Sequence, residues 1–322
     1  MKRALVTGGT GFVGGAVVDL LLAGGYEVTL LARNPARLQA RHLGRVQVVQ
    51  GDLSKELPAL PAVDVVFHAA ADMDFNLTTA QMQTVTVGGT ESLLAATTGR
   101  FVHVSSQAVY GFDRHYQDAD ESTPMRPSPF AYCETKRLAE EAVWAASRAG
   151  REVSVVRPGF VYGPGDMRTL PPVLKALKQG QIKAHIDHGA FDAGCLHVEN
   201  CADGIVLAGT VPAAVGQVYN LGDGRVLQIR DMINSLCAAA GIKEPKGNLP
   251  YPVAVALGYV LEGVWRTFKL GGPVPLSPFL AAMLHRNSGF SIEKARRELG
   301  YEPRRQWEES LGETLAWCEE VA

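Results

Sequence analysis

Tyr132 and Lys136 stand four residues apart, on one face of any helix that carries them both. Ser106 lies 26 residues before Tyr132, at the end of an apolar, strand-like run. A tyrosine, a lysine and a serine brought together make a device for moving a proton at a carbonyl oxygen. The spacing alone is weak evidence, because ordinary composition supplies such pairs by chance. Its weight comes from the other end of the chain, Thr7-Gly8-Gly9-Thr10-Gly11-Phe12-Val13-Gly14. This segment falls between a predicted strand and a predicted helix, the context that a phosphate-cradling loop requires. Gly8, Gly11 and Gly14 let the backbone turn tightly and approach a pyrophosphate, with Thr10, Phe12 and Val13 between and after them. The helix start offers free N–H groups and a positive dipole end. The bland alternative is a plain glycine-rich turn.

The elements that must position these residues alternate. Short β-rich runs occur at 3–7, 27–32, 46–50, 64–68, 101–105 and 153–157, with helical patterns between them. In the first helical pattern Val13, Ala16, Val17, Leu20 and Leu21 follow the spacing of one helix face, and Gly24-Gly25 supplies a stop. Strand–helix alternation at this spacing predicts an α/β fold, a doubly wound parallel sheet of the Rossmann type covered on both faces. After Pro158 the pattern loosens, and Gly163-Pro164-Gly165 marks a break. Residues 170–180 read as a helix. The runs 195–198 and 217–221 read as strands that return to the main sheet. From Gly222 the chain is helical with Pro and Gly punctuation (Pro250, Pro252, Gly271-Gly272-Pro273, Pro275, Pro278). Ser291 is a candidate cap for a helix that stops at Gly300. The division expected is a dinucleotide-binding domain over 1–166, with a return segment at 195–222, and a mostly helical substrate-binding domain over 167–322.

The strand ends carry the cofactor's signals. A ribose-binding acid normally closes the second strand. Here that place holds Ala32, followed by Arg33 and Asn34, with Arg37 a helical turn on. A guanidinium suits a 2′-phosphate, so NADP(H) is favoured over NAD(H). A solvated surface arginine is the alternative. Asp52, with Leu53 beside it, follows the third strand and can accept from an adenine amino group; an Asx turn is its other reading. His68-Ala69-Ala70-Ala71 ends the fourth strand. The small residues Ala69, Ala70 and Ala71 let a cofactor lie against the backbone, and His68 reads as structural rather than catalytic.

Composition excludes several classes. A net charge of −2 leaves no electrostatic footprint for nucleic acid. The five cysteines, odd in number and scattered, point to free thiols in a reducing compartment, the cytoplasm. No signal peptide is read at the N-terminus, and no run reaches the roughly 20 apolar residues of a membrane span. The nearest, 252–265, is short and runs into Arg266 and Lys269. No metal site is read.

Taken together, TGGTGFVG, VSSQAVYG (104–111), YCETK (132–136) and RPGFVYGPGD (157–166) resemble the extended short-chain dehydrogenase/reductases over nearly the whole chain. The resemblance implies that Tyr132 is the general acid in reduction and the base in oxidation. It implies that Lys136 lowers the pKa of that phenol, otherwise near 10, and holds the nicotinamide ribose. Ser106 would orient the substrate carbonyl, and Pro158, Gly159 and Val161 would pass beside the nicotinamide. Where the family often reads NVxGT, this chain reads TVGGT, so Thr86 replaces the asparagine that supports a water and proton relay.

The C-terminal strings 273–278 and FSIEKARRELGYEP (290–303) are similar to those of the 3β-hydroxysteroid dehydrogenase-like branch. Val253, Leu257, Val260, Leu261, Val264, Trp265 and Phe268 recur at helical spacing and make a broad apolar stripe. That stripe can pack on the core, line an apolar substrate pocket or touch a membrane surface peripherally. The reading is an NADP-dependent oxidoreductase acting on the carbonyl or hydroxyl carbon of an apolar, steroid-like or long-chain β-keto substrate. Two rivals stand beside it: a sugar-nucleotide epimerase or dehydratase with tightly held NAD, which Arg225 and Arg230 keep open, and a non-catalytic NADP(H) sensor. The resemblance also implies a homodimer.

Overall fold

The computed structural model describes residues 2–73, 77–268, 270 and 274–321. Lys269 and the Gly271-Gly272-Pro273 punctuation lie outside the described residues. The first part runs β1 (Arg3–Thr7), α1 (Phe12–Ala23), β2 (Glu27–Ala32), β3 (Gln47–Gln50), β4 (Val65–His68), α2 (Thr79–Gln83), α3 (Gly89–Ala96), β5 (Arg100–Val104), β6 (Tyr116–Ala119), α4 (Ala131–Arg148) and β7 (Val153–Pro158). A π-helical turn, Thr84–Gly88, joins α2 to α3. The second part runs β8 (Phe160–Tyr162), α5 (Leu170–Lys178), β9 (Ala184–Ile186), β10 (Cys195–His197), α6 (Val198–Thr210), β11 (Gln217–Leu221), α7 (Ile229–Ala239) and β12 (Gly247–Leu249). It ends with α8 (Tyr251–Phe268), α9 (Pro278–His285), β13 (Ser288–Phe290), α10 (Glu293–Leu299) and α11 (Trp307–Val321).

Seven strands form one parallel sheet in the order β11-β7-β5-β4-β1-β2-β3. Its strands are apolar on both faces because both faces are covered. Ala4, Val6 and Phe67 look towards the cluster shared with α1 and α6, which includes Val17, Val18, Leu21 and Ile205. Leu5 and Val66, one residue out of phase, look towards Leu93 and Val143 on the other side. The strand order reverses between β1 and β4, where Thr7 and His68 stand in register at the carboxyl ends. A switch point of this kind leaves a crevice for a ligand.

The second part adds its own apolar cluster, in which Leu170, Leu174 and Leu177 of α5 meet Met232 and Leu236 of α7 and Trp307 and Cys318 of α11. One expectation needs correction. Only the run at 217–221 rejoins the main sheet, as β11 beside β7; β10 pairs instead with β8 in a separate two-stranded sheet. The cause is local: at the end of β7 the chain turns off at Pro158-Gly159, and Phe160 N–H bonds Gly194 O at 2.8 Å.

The apolar stripe of α8 does not pack on the core as a whole. Ala254 and Gly258 are its buried residues. This narrow side meets α9 so closely that a Cβ on Gly258 would lie 2.8 Å from Pro278 N. Val253, Leu257, Tyr259, Val260, Val264 and Phe268 are exposed. No described helix is long and apolar enough to cross a membrane.

Candidate active site

The glycine loop is seated on the end of β4. Gly8 has φ +74°, and a Cβ there would lie 2.8 Å from Ala70 N and 2.9 Å from the Ala69 carbonyl carbon. A Cβ on Gly14 would lie 2.3 Å from Gly8 O. The turn is closed by Gly11 N–H donating to Gly8 O at 2.9 Å. The helix that follows has Gly11 as its N-cap, no side-chain cap and no acid in its first turn. Its first N–H groups are therefore open to an anionic ligand. The cradle fits a dinucleotide pyrophosphate, with Thr10 at the loop tip and Val13 partly buried against the core. Phe12 lies under Gly165, whose Cβ would come within 3.0 Å of its ring.

His68 ties this loop to the next layer. Its Nδ1 is 2.7 Å from Thr7 Oγ1, and its Nε2 is 2.9 Å from Thr90 Oγ1. Thr90 donates its single hydroxyl proton to Thr86 O at 2.6 Å, so it must accept from Nε2–H. Nδ1 then accepts from Thr7, whose oxygen in turn accepts from Ala70 N–H at 3.2 Å. Burial, with the Lys136 charge adding to it, pushes the imidazole down to about 3, so the ring is neutral. Both ring nitrogens serve structure. Sequence reasoning missed Gln39, whose Nε2 donates to Gly11 O at 3.0 Å from across the loop; no motif marks it.

At the rim, Arg33 and Arg37 are exposed and their side chains make no hydrogen bond or ion pair among the described residues. Asn34 uses its oxygen to cap the turn at 35–37, accepting from Ala36 N–H at 3.1 Å. Asp52 takes the Asx-turn form: its Oδ1 accepts from Ser54 N at 3.0 Å and Ser54 Oγ at 2.8 Å. The Ser54 N–H foremost, then its hydroxyl and the Arg33 charge, outweigh burial and hold this carboxyl below its usual range. Leu53 packs on α3, where a Cβ on Gly89 would lie 2.7 Å from its own.

The structure brings the three reaction candidates together. Ser106 follows β5 and opens a short helical turn, its Oγ accepting from Ala108 N at 3.1 Å. Tyr132 and Lys136 sit in the first turns of α4. The Ser106 side chain acts on the Tyr132 phenol, lowering its pKa. Burial pushes that phenol up to about 12; the Ser106 side chain opposes this and Cys133 adds to it. The lowering expected from Lys136 is absent from that balance. The Lys136 ammonium donates to Val104 O at 2.8 Å, and burial, opposed by Glu140, pushes it down to about 8. Its remaining N–H groups are available to ribose hydroxyls.

Beyond Tyr132 lies an aromatic wall that the sequence did not single out. Phe279 of α9 stands edge-on to Tyr132 at 6.3 Å, to Phe112 at 5.7 Å and to Phe130 at 5.4 Å. Pro158 ends β7, Gly159 lies so close to Gly194 that a Cβ would be 2.2 Å from its carbonyl oxygen, and Val161 lies in β8. Thr86 sits in the π-helical turn, buried, and accepts Asp72 N–H at 3.2 Å. It thereby anchors the chain after Ala71.

A parallel sheet with a glycine-loop switch point, and a Ser–Tyr–Lys group beside it, defines an NAD(P)-dependent oxidoreductase of the short-chain dehydrogenase/reductase kind. The chain belongs to the NAD dependent epimerase/dehydratase family, whose pattern it matches over residues 4–222, and within it to the extended, 3β-hydroxysteroid dehydrogenase-like branch. It is 34% identical over 307 residues to the 4-hydroxy-2-methyl-3-oxo-4-farnesyl-3,4-dihydroquinoline-1-oxide ketoreductase of Stigmatella aurantiaca, covering 93% of this chain and 91% of the relative. It is 32% identical to the 3 beta-hydroxysteroid dehydrogenase/Delta 5-->4-isomerase of Mycobacterium tuberculosis, covering 98% of this chain and 90% of the relative. Among solved structures, that of gox2253 superposes with a TM-score of 0.81 at 28% identity, covering 99% of this chain and 98% of the other. The UDP-glucose 4-epimerase of Thermotoga maritima superposes with a TM-score of 0.75 at 20% identity, covering 99% of each chain, which speaks for the fold alone.

Proposed function

We propose that this oxidoreductase uses NADP(H) to interconvert carbonyl and hydroxyl on an apolar substrate, steroid-like or a long-chain β-keto compound. The observation that carries the reading is the Phe279–Phe112–Phe130 wall against the Ser106–Tyr132 pair. A substrate carbonyl that reaches Tyr132 must pass beside aromatic edges, which favour apolar bodies. The names of the relatives support it: a ketoreductase of a farnesylated quinoline oxide, a hydroxysteroid dehydrogenase and the 2-alkyl-3-oxoalkanoate reductase of Stenotrophomonas maltophilia, 30% identical over 96% of this chain. Residues 167–322 act as the substrate-binding part, and the molecule works as a homodimer through α4 and its neighbour.

The bound nicotinamide supplies or accepts the hydride. The chain's own residues do the rest. Ser106 holds the carbonyl oxygen, Tyr132 gives or takes its proton, and Lys136 keeps a positive charge and donors beside the ribose. A phenol pushed up to about 12 stays protonated near neutral pH, so the proton that reduction needs is on Tyr132. Arg33, exposed beyond Ala32, meets the 2′-phosphate of NADP(H).

The test is stereospecific consumption of NADPH with 2-alkyl-3-oxo acids and 3-ketosteroids. Tyr132→Phe is expected to lose about 10²- to 10⁴-fold in turnover. Full turnover by that variant overturns the mechanism. Retention of NAD(H) through purification, with no net NADPH use, turns the assignment towards an epimerase.

A further inference from the structure

Glu140 lies one helical turn beyond Lys136 on α4 and is fully buried. Its carboxylate accepts from Ser105 Oγ at 2.6 Å, from Trp144 Nε1 at 3.1 Å and from Arg157 Nη2 at 2.5 Å. Arg157 Nε adds contacts of 3.2 and 3.1 Å to its two oxygens. Arg157 Nη1 donates to Tyr110 Oη at 2.7 Å, and Tyr110 donates to Asn220 Oδ1 at 2.8 Å. One carboxylate thus joins α4 to the ends of β5 and β7 and, through Tyr110, reaches β11. Each junction touches a residue of the proposed reaction. Ser105 precedes Ser106, Arg157 precedes Pro158, and Lys136 is the next residue of the same helix face.

A buried ion pair is poor evidence for stability, since desolvating two charges costs about what their attraction returns. A packed hydrophobic pair would hold these elements as well. The charge itself therefore needs a reason. Lys136 is surrounded by Tyr132 and Glu140 on its own helix, His68 on β4, His103 on β5, and Arg157 and Tyr110 behind Glu140. His68 and His103 are held neutral by burial. Neither α2 nor the π-helical turn carries a titratable residue, and Glu91 of α3 is exposed. Among the described residues, Glu140 is the negative charge that acts on the Lys136 ammonium.

We propose that Glu140 is a positioning residue of the Ser–Tyr–Lys unit, setting the ends of β5 and β7 against α4 and supplying the buried negative charge that Lys136 needs. This rests on the oxidoreductase reading above. Lys136 carries its charge below about 8 and loses it above. Without Glu140 the loss comes at lower pH.

The experiment is the pH profile of kcat/KM for NADPH-dependent reduction in Glu140→Gln and in the paired variant Glu140→Gln/Arg157→Met. The single variant leaves Arg157 unpaired, and its alkaline limb is expected about one pH unit below that of the unsubstituted protein. The paired variant buries no lone charge, keeps the test running if the single one does not fold, and shifts less in the same direction. Glu140→Asp, which keeps the charge, restores the limb. An unshifted limb in a folded Glu140→Gln or paired variant overturns the proposal, even if overall turnover falls. An active Tyr132→Phe overturns the oxidoreductase mechanism instead, so the two failures are told apart.

Discussion

Lys136 donates to the backbone carbonyl of Val104 at 2.8 Å, and the phenol of Tyr132, one turn before it, is instead acted on by the Ser106 side chain. The lysine is thus anchored to the sheet at the end of β5. Its aliphatic stem and ammonium lie in the protein, which is why burial pulls its pKa down to about 8 from an ordinary 10.5.

That displacement has a signature in stability. Between about pH 8 and 10.5 the unfolded chain binds a proton at Lys136 that the folded chain does not, so stability rises with pH across this window. Lys136→Met removes the contribution. The difference in urea midpoint between the unsubstituted protein and this variant is expected to change between about pH 7.5 and 9.5, in favour of the unsubstituted protein at the higher pH. Parallel midpoints at both values would contradict a buried, depressed lysine.

Arg33 is exposed, makes no side-chain hydrogen bond or ion pair among the described residues beyond the pull of its charge on Asp52, and follows the small residue Ala32 at the end of β2. Its guanidinium is free to meet a 2′-phosphate by charge-assisted bonds worth about 1.5–3 kcal/mol. Arg33→Ala is expected to weaken NADPH binding at least about tenfold and to leave NADH binding within about twofold. Fluorescence titration of both nucleotides reads this directly. Equal losses for the two would assign Arg33 to the adenine or to the surface.

Phe279 presents its edge to Tyr132, Phe112 and Phe130 from a helix that is itself held by the buried side of α8. Removing the ring opens the wall without touching Ser106 or Lys136. Phe279→Ala is expected to raise KM for long-chain or polycyclic ketones about tenfold while a compact β-keto acid changes about twofold. Steady-state kinetics on the two substrate classes decide it, and a uniform fall in kcat for both would place Phe279 in the support of Tyr132 instead.

The alternation of short apolar runs made the main sheet legible, because strands covered on both faces are apolar throughout. The glycine loop and the Ser–Tyr–Lys spacing were legible because each residue type answers a local demand. Three things were not. The pairing of β10 with β8 depends on the Gly159–Gly194 contact, between residues 35 apart, which no period encodes. Glu140 and Arg157 read as ordinary helix and strand charges until the fold buries them together. Phe279 reaches Tyr132 from 147 residues away, across a region whose elements are short. The environment of Tyr132 also differs from the spacing argument: four residues place a lysine on the same face, but burial decides the direction in which the phenol's pKa moves.

Two glycines with opposite surroundings test how closely the loop is built. At Gly14 a Cβ would lie 2.3 Å from Gly8 O and 2.5 Å from the Gly8 carbonyl carbon, both backbone atoms that cannot rotate away. Relief requires α1 to move off the loop it starts from, which also spoils the cradle for a pyrophosphate. Gly14→Ala is therefore expected to cost more than about 2 kcal/mol of stability, beyond the usual range of surface changes, and to weaken dinucleotide binding with it. Gly263 lies exposed in α8 with nothing within 4 Å of its would-be Cβ. There alanine removes freedom from the unfolded chain and adds helix propensity, so Gly263→Ala is expected to gain about 0.5–1 kcal/mol. Urea melts of both variants, with an NADPH titration of each, carry the test. A Gly14→Ala protein as stable as Gly263→Ala, and binding NADPH as tightly, would mean that the loop and α1 are not packed as the structure has them.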